Sequence, residues 1–393
     1  MKQTFSIIIA GLALALGSCA KIEHEKIDNP AYLRVFNNLN YTVALENKDE
    51  EQPFLTMLID PQTDASGMPV SAAIIGDFLD QRSSYAPPYP SHIGTSNSFR
   101  NPEYPGKEDV LVGPILNGFD LSSWAQIPAG QHRVMFMYRP VSGIPFFSLE
   151  DRLKKKVLLD TVLQLDSREV YTLHILQKNF RTKENGMLLR REIFHKLSLS
   201  DSLVYVNFYN MSAEGYEAAD KTKKPRNVDA GMLQYGIKDE ANVWMTLLTG
   251  DGLTNPVPGY NFRFLTTLRR NNTSNAVNSY FSFPLFADNA ADGIRTTAWQ
   301  RFSLLSPGLS PLNNPYNDNN GEVVDGNYAV ISCYGNGTRA SFERYICSRP
   351  NMIVNIHSGT NNPQSFATVN TIEIVNGTAY LTTVQRKYPT PIY

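Results

Sequence analysis

Histidines 24, 92, 132, 174, 195 and 357 are the first residues to test for chemistry, because imidazole moves protons near neutral pH and is a common nitrogen ligand of zinc. Their spacing fits no ligand motif. No His-Glu-x-x-His, Cys-x-x-Cys, Gly-x-Ser-x-Gly or Gly-x-x-x-x-Gly-Lys-Ser/Thr occurs, so metal-assisted, serine-nucleophile and phosphate-cradling chemistry have no local signature. His132, His174 and His357 fall on expected strands and read as structural. Paired carboxylates from distant strands leave no trace in sequence, which keeps a glycan hydrolase open without naming its residues. The stretch "NDNNGEVVDG" (317–326) gathers Asp318, Asn320, Glu322 and Asp325, oxygen donors suited to a hard cation. Placing Gly321 sixth in an EF-hand frame puts Tyr316 first and Asn327 twelfth, so both key carboxylates are missing and a polar turn is the reading. No catalytic residue, cofactor or metal is assigned.

Binding chemistry is better represented. In "SSYAPPYPSHIGTSNSFRNPEYPG" (83–106) prolines and glycines exclude regular sheet, and Tyr85, Tyr89, Phe99 and Tyr104 stand in otherwise polar surroundings. Rings held by proline lose little entropy when a sugar or peptide stacks on them. The alternative is that the same rings tack a long loop onto the fold. Cys333 and Cys347 either pair, which would contribute on the order of 3 kcal/mol by restricting the unfolded chain, or stand as two separate buried thiols. A hairpin turning at "GNGT" (335–338) would set Cys333 opposite a residue near Ala340 rather than Cys347.

Cys19 asks for a different chemistry. Lys2, the apolar run Phe5 to Leu16 and the small residues after it have the three-part layout of a secretory signal. The run falls short of the roughly 20 residues a spanning helix needs. Leu16-Gly17-Ser18-Cys19 resembles the lipobox of bacterial lipoproteins, which implies cleavage after residue 18 and acylation of the Cys19 thiol. The expected partner is therefore the membrane, through that lipid. Ala20 instead of Asp favours the outer membrane, and Lys21, Glu23 and Glu25 are a loose version of the surface-export pattern of Bacteroidetes-type bacteria. Periplasmic face and cell surface both stay open.

These groups must be positioned by a mainly β chain. Hydrophobic residues make up 42% of the sequence and charged residues 19%, with 36 Lys+Arg against 37 Asp+Glu, so a core is available and no strong field recruits nucleic acid. Short runs rich in Val, Ile, Tyr, Phe and Thr recur between turn residues: 32–39, 132–138, 157–165, 170–176, 203–211, 328–334, 352–357, 370–375 and 379–385. Segments 71–82 and 239–248 read equally as short helices or strands.

A faint repeat runs through the chain. Phe36-Asn37-Asn38-Leu39 matches Phe208-Tyr209-Asn210-Met211, and Leu163, Leu165 and Tyr171 match Ile372, Ile374 and Tyr380. The expected fold is two tandem immunoglobulin-like antiparallel β-sandwich domains: a signal at 1–18, a lipidated tether at 19–29, a first domain at 30–198, and a second at 199–393 with an Asn-rich insertion. The strand "YLRVFNNLN" (32–40) followed by "IPAGQHRVMFMY" (127–138), and "LVYVNFYNMSAEG" (203–215) followed by "DGNYAVIS" (325–332), resembles the DUF4397 type of bacterial cell-surface domain. Pro128, Ala129 and Gly130 supply that family's Pro-Ala-Gly turn; Asp325-Gly326 replaces it in the second half. The resemblance implies an exported immunoglobulin-like sandwich and brings no catalytic residue or ligand. The expected role is a non-catalytic module binding glycan or another envelope protein. An assembly component such as a fimbrial anchor using strand addition is the alternative.

Overall fold

The computed structural model describes residues 27–39, 54–82, 89–90, 110–154, 156–216, 239–249, 255–284, 298–305, 307, 328–332, 346–348, 367–376 and 378–385. Strands dominate, as expected, with short 3-10 turns between them. The first ten strands are β1 (Ala31–Asn37), β2 (Leu55–Thr63), β3 (Pro69–Leu79), β4 (Ile115–Leu116), β5 (Phe119–Asp120), β6 (Ala125–Ile127), β7 (Gly130–Tyr138), β8 (Val157–Leu165), β9 (Val170–Asn179) and β10 (Glu184–Glu192). The next ten are β11 (Leu203–Asn210), β12 (Glu240–Thr249), β13 (Asn255–Pro256), β14 (Arg263–Arg269), β15 (Phe281–Pro284), β16 (Trp299–Leu305), β17 (Tyr328–Ser332), β18 (Ile346–Ser348), β19 (Thr368–Val375) and β20 (Thr378–Gln385). Segments 71–82 and 239–248, readable either way in sequence, form β3 and β12. The run 352–357 lies outside the described residues.

In the first half, sheet order β10-β9-β1-β6 faces sheet order β3-β2-β7-β8. Alternation decides which side chains meet between them. Leu33 and Val35 of β1, Met57 and Ile59 of β2, Val134 and Phe136 of β7, and Leu173 and Ile175 of β9 share one core. The intervening Met135 and Met137 of β7 point away from that core, and Phe146 and Leu149 cover them. Arg139 holds this cover in place, donating to the Asp77 carboxylate and to the carbonyls of Ser142 (2.7 Å) and Ile144 (2.6 Å).

The second half repeats this plan. Its sheets run β20-β19-β11-β15 and, around a second core containing Val206, Phe208, Val243, Met245, Phe302 and Ile372, β14 with β12, β16 and β17. In both halves the opening strand lies parallel to the penultimate one: Asn37 opposes Ile175, and Asn210 opposes Ile374. Asn37 Oδ1 accepts from the amide of Leu39 and Asn210 Oδ1 from that of Ser212, each at 3.2 Å. The Arg82 amide donates to the carbonyl of Asn37, and that of Asn271 to Asn210, each at 2.7 Å.

The equivalence is therefore Asn37 with Asn210, one residue away from the match of Phe36 with Phe208 read in the sequence. The second match fails outright: Leu163 and Leu165 lie on β8, whereas Ile372 and Ile374 lie on β19, the counterpart of β9. The true counterparts of Ile372, Glu373 and Ile374 are Leu173, His174 and Ile175.

The faces of the two inner sheets turned away from their cores are also buried, because they cover each other. Val170 shares a cluster with its counterpart Val369, and Leu176 with its counterpart Val375. Between those apolar contacts His174 meets its counterpart Glu373. Equivalent residues face one another across this contact, as they do in an isologous interface.

Candidate functional site

The chemistry of the described residues concentrates where the halves meet. Glu373, fully buried at the middle of β19, accepts from Arg82 Nη1 at 2.5 Å and from Arg190 Nη2 at 2.6 Å. Arg82 follows β3 and Arg190 lies on β10, so both cations come from the first half. Arg82 also donates to Thr382 Oγ1 of β20 at 3.0 Å, and its guanidinium lies between two rings, 3.9 Å from the Phe36 centroid and 4.4 Å from that of Tyr380. Arg190 Nε donates to Glu192 at 3.0 Å, and Arg34 Nη2 to Thr172 Oγ1 at 3.3 Å. Apolar contacts at either end, Tyr32, Trp124 and Val369 on one side and Leu176, Tyr209 and Met211 on the other, close the cluster off from water.

Burial sets the charge states. It pushes the His174 imidazole down to about 4, outweighing the pull of Glu373, so the ring is neutral at pH 7. The Asn38 amide lies 2.8 Å from Nδ1, which leaves the ring proton on Nε2, facing Glu373 Oε1 at 3.4 Å. Burial opposes the charge on Glu373, but His174, Arg82 and Arg190 hold its carboxyl well below the usual carboxylate range. Burial also lowers Arg34, to about 9. Both carboxylates of this enclosed network, Glu192 and Glu373, are engaged by guanidinium groups.

The residues singled out in sequence scatter. Tyr89, expected on an exposed polar loop, is 2% exposed and packs in the first core. Its backbone pairs with Val35 through both hydrogen bonds, at 2.9 and 3.0 Å, so its ring is withdrawn from any ligand surface. A Cβ on Gly76 would meet that ring at 2.8 Å, which is why β3 carries a glycine there. Cys19, Tyr85, Phe99, Tyr104 and Cys333, with the stretch 317–326, lie outside the described residues. The backbone of Cys347 sits on β18, parallel to β17 and opposite Ile331, so β18 is not the return strand of an antiparallel hairpin. Of the histidines, His132 donates to the Pro128 carbonyl and pairs with Asp60, each at 2.7 Å, in a structural role. Sequence reasoning missed Arg34, Arg82, Arg190 and Glu373 altogether. Their only signal was charge interrupting apolar runs, as in "VNTIEIV" (369–375).

No family model matches the chain, and no curated protein matches it. Among solved structures, a Bacteroides ovatus protein provisionally assigned to cell adhesion aligns over 92% of this chain and 99% of its own, at 10% identity and a TM-score of 0.13. A likeness that slight establishes neither fold nor role. No helix among the described residues is long and apolar enough to cross a membrane.

Proposed function

We propose that this chain is an outer-membrane lipoprotein, anchored through Cys19, whose two immunoglobulin-like sandwiches act as a non-catalytic binding module for glycan or protein. The contact rings are Tyr85, Phe99 and Tyr104. The observation that supports this reading is the fixing of the residues that bracket the start of the aromatic stretch: Arg82 is clamped between the halves and Tyr89 is bonded to β1. Binding residues are characteristically carried on loops held by a rigid scaffold. The test is a glycan array and whole-cell pulldown with residues 20–393, beside a Tyr85→Ala/Phe99→Ala/Tyr104→Ala variant. Binding lost in a variant that still melts like the parent supports the assignment; binding unchanged in that variant removes these rings from the site. Incorporation of labelled palmitate, abolished by Cys19→Ser, tests the anchor.

Strand addition is the second reading, favoured by β8. Among the described residues it pairs only with β7, and it exposes Val157 and Val162. Such an edge accepts another strand. A pulldown that recovers an envelope protein from the parent but not from Val162→Pro supports that role; equal recovery by both counts against it.

A further inference from the structure

The cluster between the halves is unbalanced. Among the described residues, the guanidinium groups of Arg34, Arg82 and Arg190 face the carboxylates of Glu192 and Glu373, with His174 neutral, so positive charge is in excess. The excess is matched by unused donors. Arg34 Nε and Arg190 Nη1 are enclosed with no hydrogen-bond partner, and so is the indole Nε1 of Trp124, over whose ring the Arg34 guanidinium lies at 4.0 Å. Arg34, Trp124 and Arg190 are 5%, 1% and 1% exposed.

Topology brings the two arginines together. Arg34 of β1 opposes Thr172 of β9, and Thr172 opposes Arg190 of β10, so all three stand in one cross-strand row on the buried face. Two strand spacings separate the arginine Cα atoms, roughly 10 Å, a distance two long side chains span with one ion between them. The counterpart row in the second half is Asn207, Thr371 and Thr382. It carries no charge and Thr371 Oγ1 is already bonded to Asn207 at 2.8 Å, so the second half does not supply the missing negative charge from this row. An uncompensated buried charge is among the most costly features a fold can carry.

We propose that Arg34 and Arg190 hold one small monovalent anion between the two halves, chloride or a free carboxylate of similar size. The anion accepts from Arg34 Nε and Arg190 Nη1 and balances the cluster. It is a structural ligand that neutralises the first half's face of the join, distinct from any contact made by Tyr85, Phe99 or Tyr104.

The experiment uses residues 20–393 and chloride as probe. Thermal unfolding is followed while chloride replaces a bulky sulfonate at constant ionic strength, with acetate and sulfate as parallel series. Chloride bound to the folded state alone multiplies the folded-to-unfolded ratio by about 100 at about 100 times its Kd, so the transition temperature rises with the logarithm of chloride above that Kd. Arg34→Met removes both the excess charge and the donor, and its transition is independent of chloride whatever its absolute stability. Crystals soaked in bromide show an anomalous peak bridging Arg34 and Arg190. A parent protein whose transition ignores chloride and acetate, or crystals showing water or a carboxylate of the chain itself between the two arginines, overturns the proposal.

Discussion

Replacing Glu373 by Gln tests whether the buried cluster fastens the halves. The substitution keeps shape and removes charge, leaving Arg82 and Arg190 enclosed without the carboxylate that bridges them. Each charge-assisted hydrogen bond contributes about 1.5–3 kcal/mol, and removing one partner of a buried pair costs about 3–5 kcal/mol because the other charge is stranded. Gln retains one acceptor oxygen, so a loss of about 4 kcal/mol is expected, roughly a thousandfold in the folding equilibrium. Urea unfolding followed by tryptophan fluorescence reads this, since Trp124 lies at the contact, 1% exposed. With a slope of about 1–3 kcal/mol per molar urea, the midpoint moves down by more than about 1 M. The control is Glu240→Gln: its partner Arg269 lies 3.2 Å away and is 77% exposed, so the change stays within about 0.5 kcal/mol. A Glu373→Gln loss no larger than the control's would refute the reasoning.

Acidification probes the same cluster. His174 has a folded pKa depressed to about 4 from 6.5, so between those values the unfolded chain binds a proton the folded one refuses and stability falls as pH drops. Glu373, and Glu169 held down to about 2 chiefly by its hydrogen bond from Arg191, steepen the fall below about pH 4.5; His174→Gln flattens the limb between pH 6.5 and 4 in a series of urea midpoints. Tyr89→Ala empties part of the first core and is expected to lose about 3–5 kcal/mol, while Gly76→Ala drives a methyl into the Tyr89 ring and loses about 1–3 kcal/mol; calorimetry of both variants checks this. Asn37→Ala and Asn210→Ala each delete the same turn bond and are expected to cost similar amounts, about 1–3 kcal/mol, with a wide disparity counting against the equivalence of the halves.

The strands were legible in sequence where alternation and β-branched residues coincide: 157–165 is β8 to the residue, and 203–211 and 370–375 fall on β11 and β19. What covers their outer faces was not. "ENGMLLRRE" (184–192) is not among the strands expected from sequence, yet it forms β10, and Arg190 on it is 1% exposed because another sheet covers that face. Alternation reports two faces and is silent about a second partner. The repeat failed for a related reason. Pairing Phe36 with Phe208 aligned a ring turned toward the other half, stacked on His174, with a ring buried in its own core. With a period of 2, a slip of one residue exchanges the faces. Tyr89 misled because proline-rich polar neighbours describe a stretch of chain, whereas the burial of one ring within it depends on the strand it meets.

The parallel pairing of β1 with β9 also bears on how the chain reaches its folded state. Arg34 and Thr172 are 138 positions apart and Arg82 and Glu373 are 291 apart, so contacts that define each half, and then the join between them, form between distant parts of the sequence. Closing such loops adds only logarithmically to the free-energy cost but slows folding strongly. A chain made from its N-terminus thus has β1 with no parallel mate until β9 has followed, and Arg82 without the Glu373 carboxylate until β19 has been made. The order of the strands leaves the ion cluster between the halves incomplete until the end of the second half has been made.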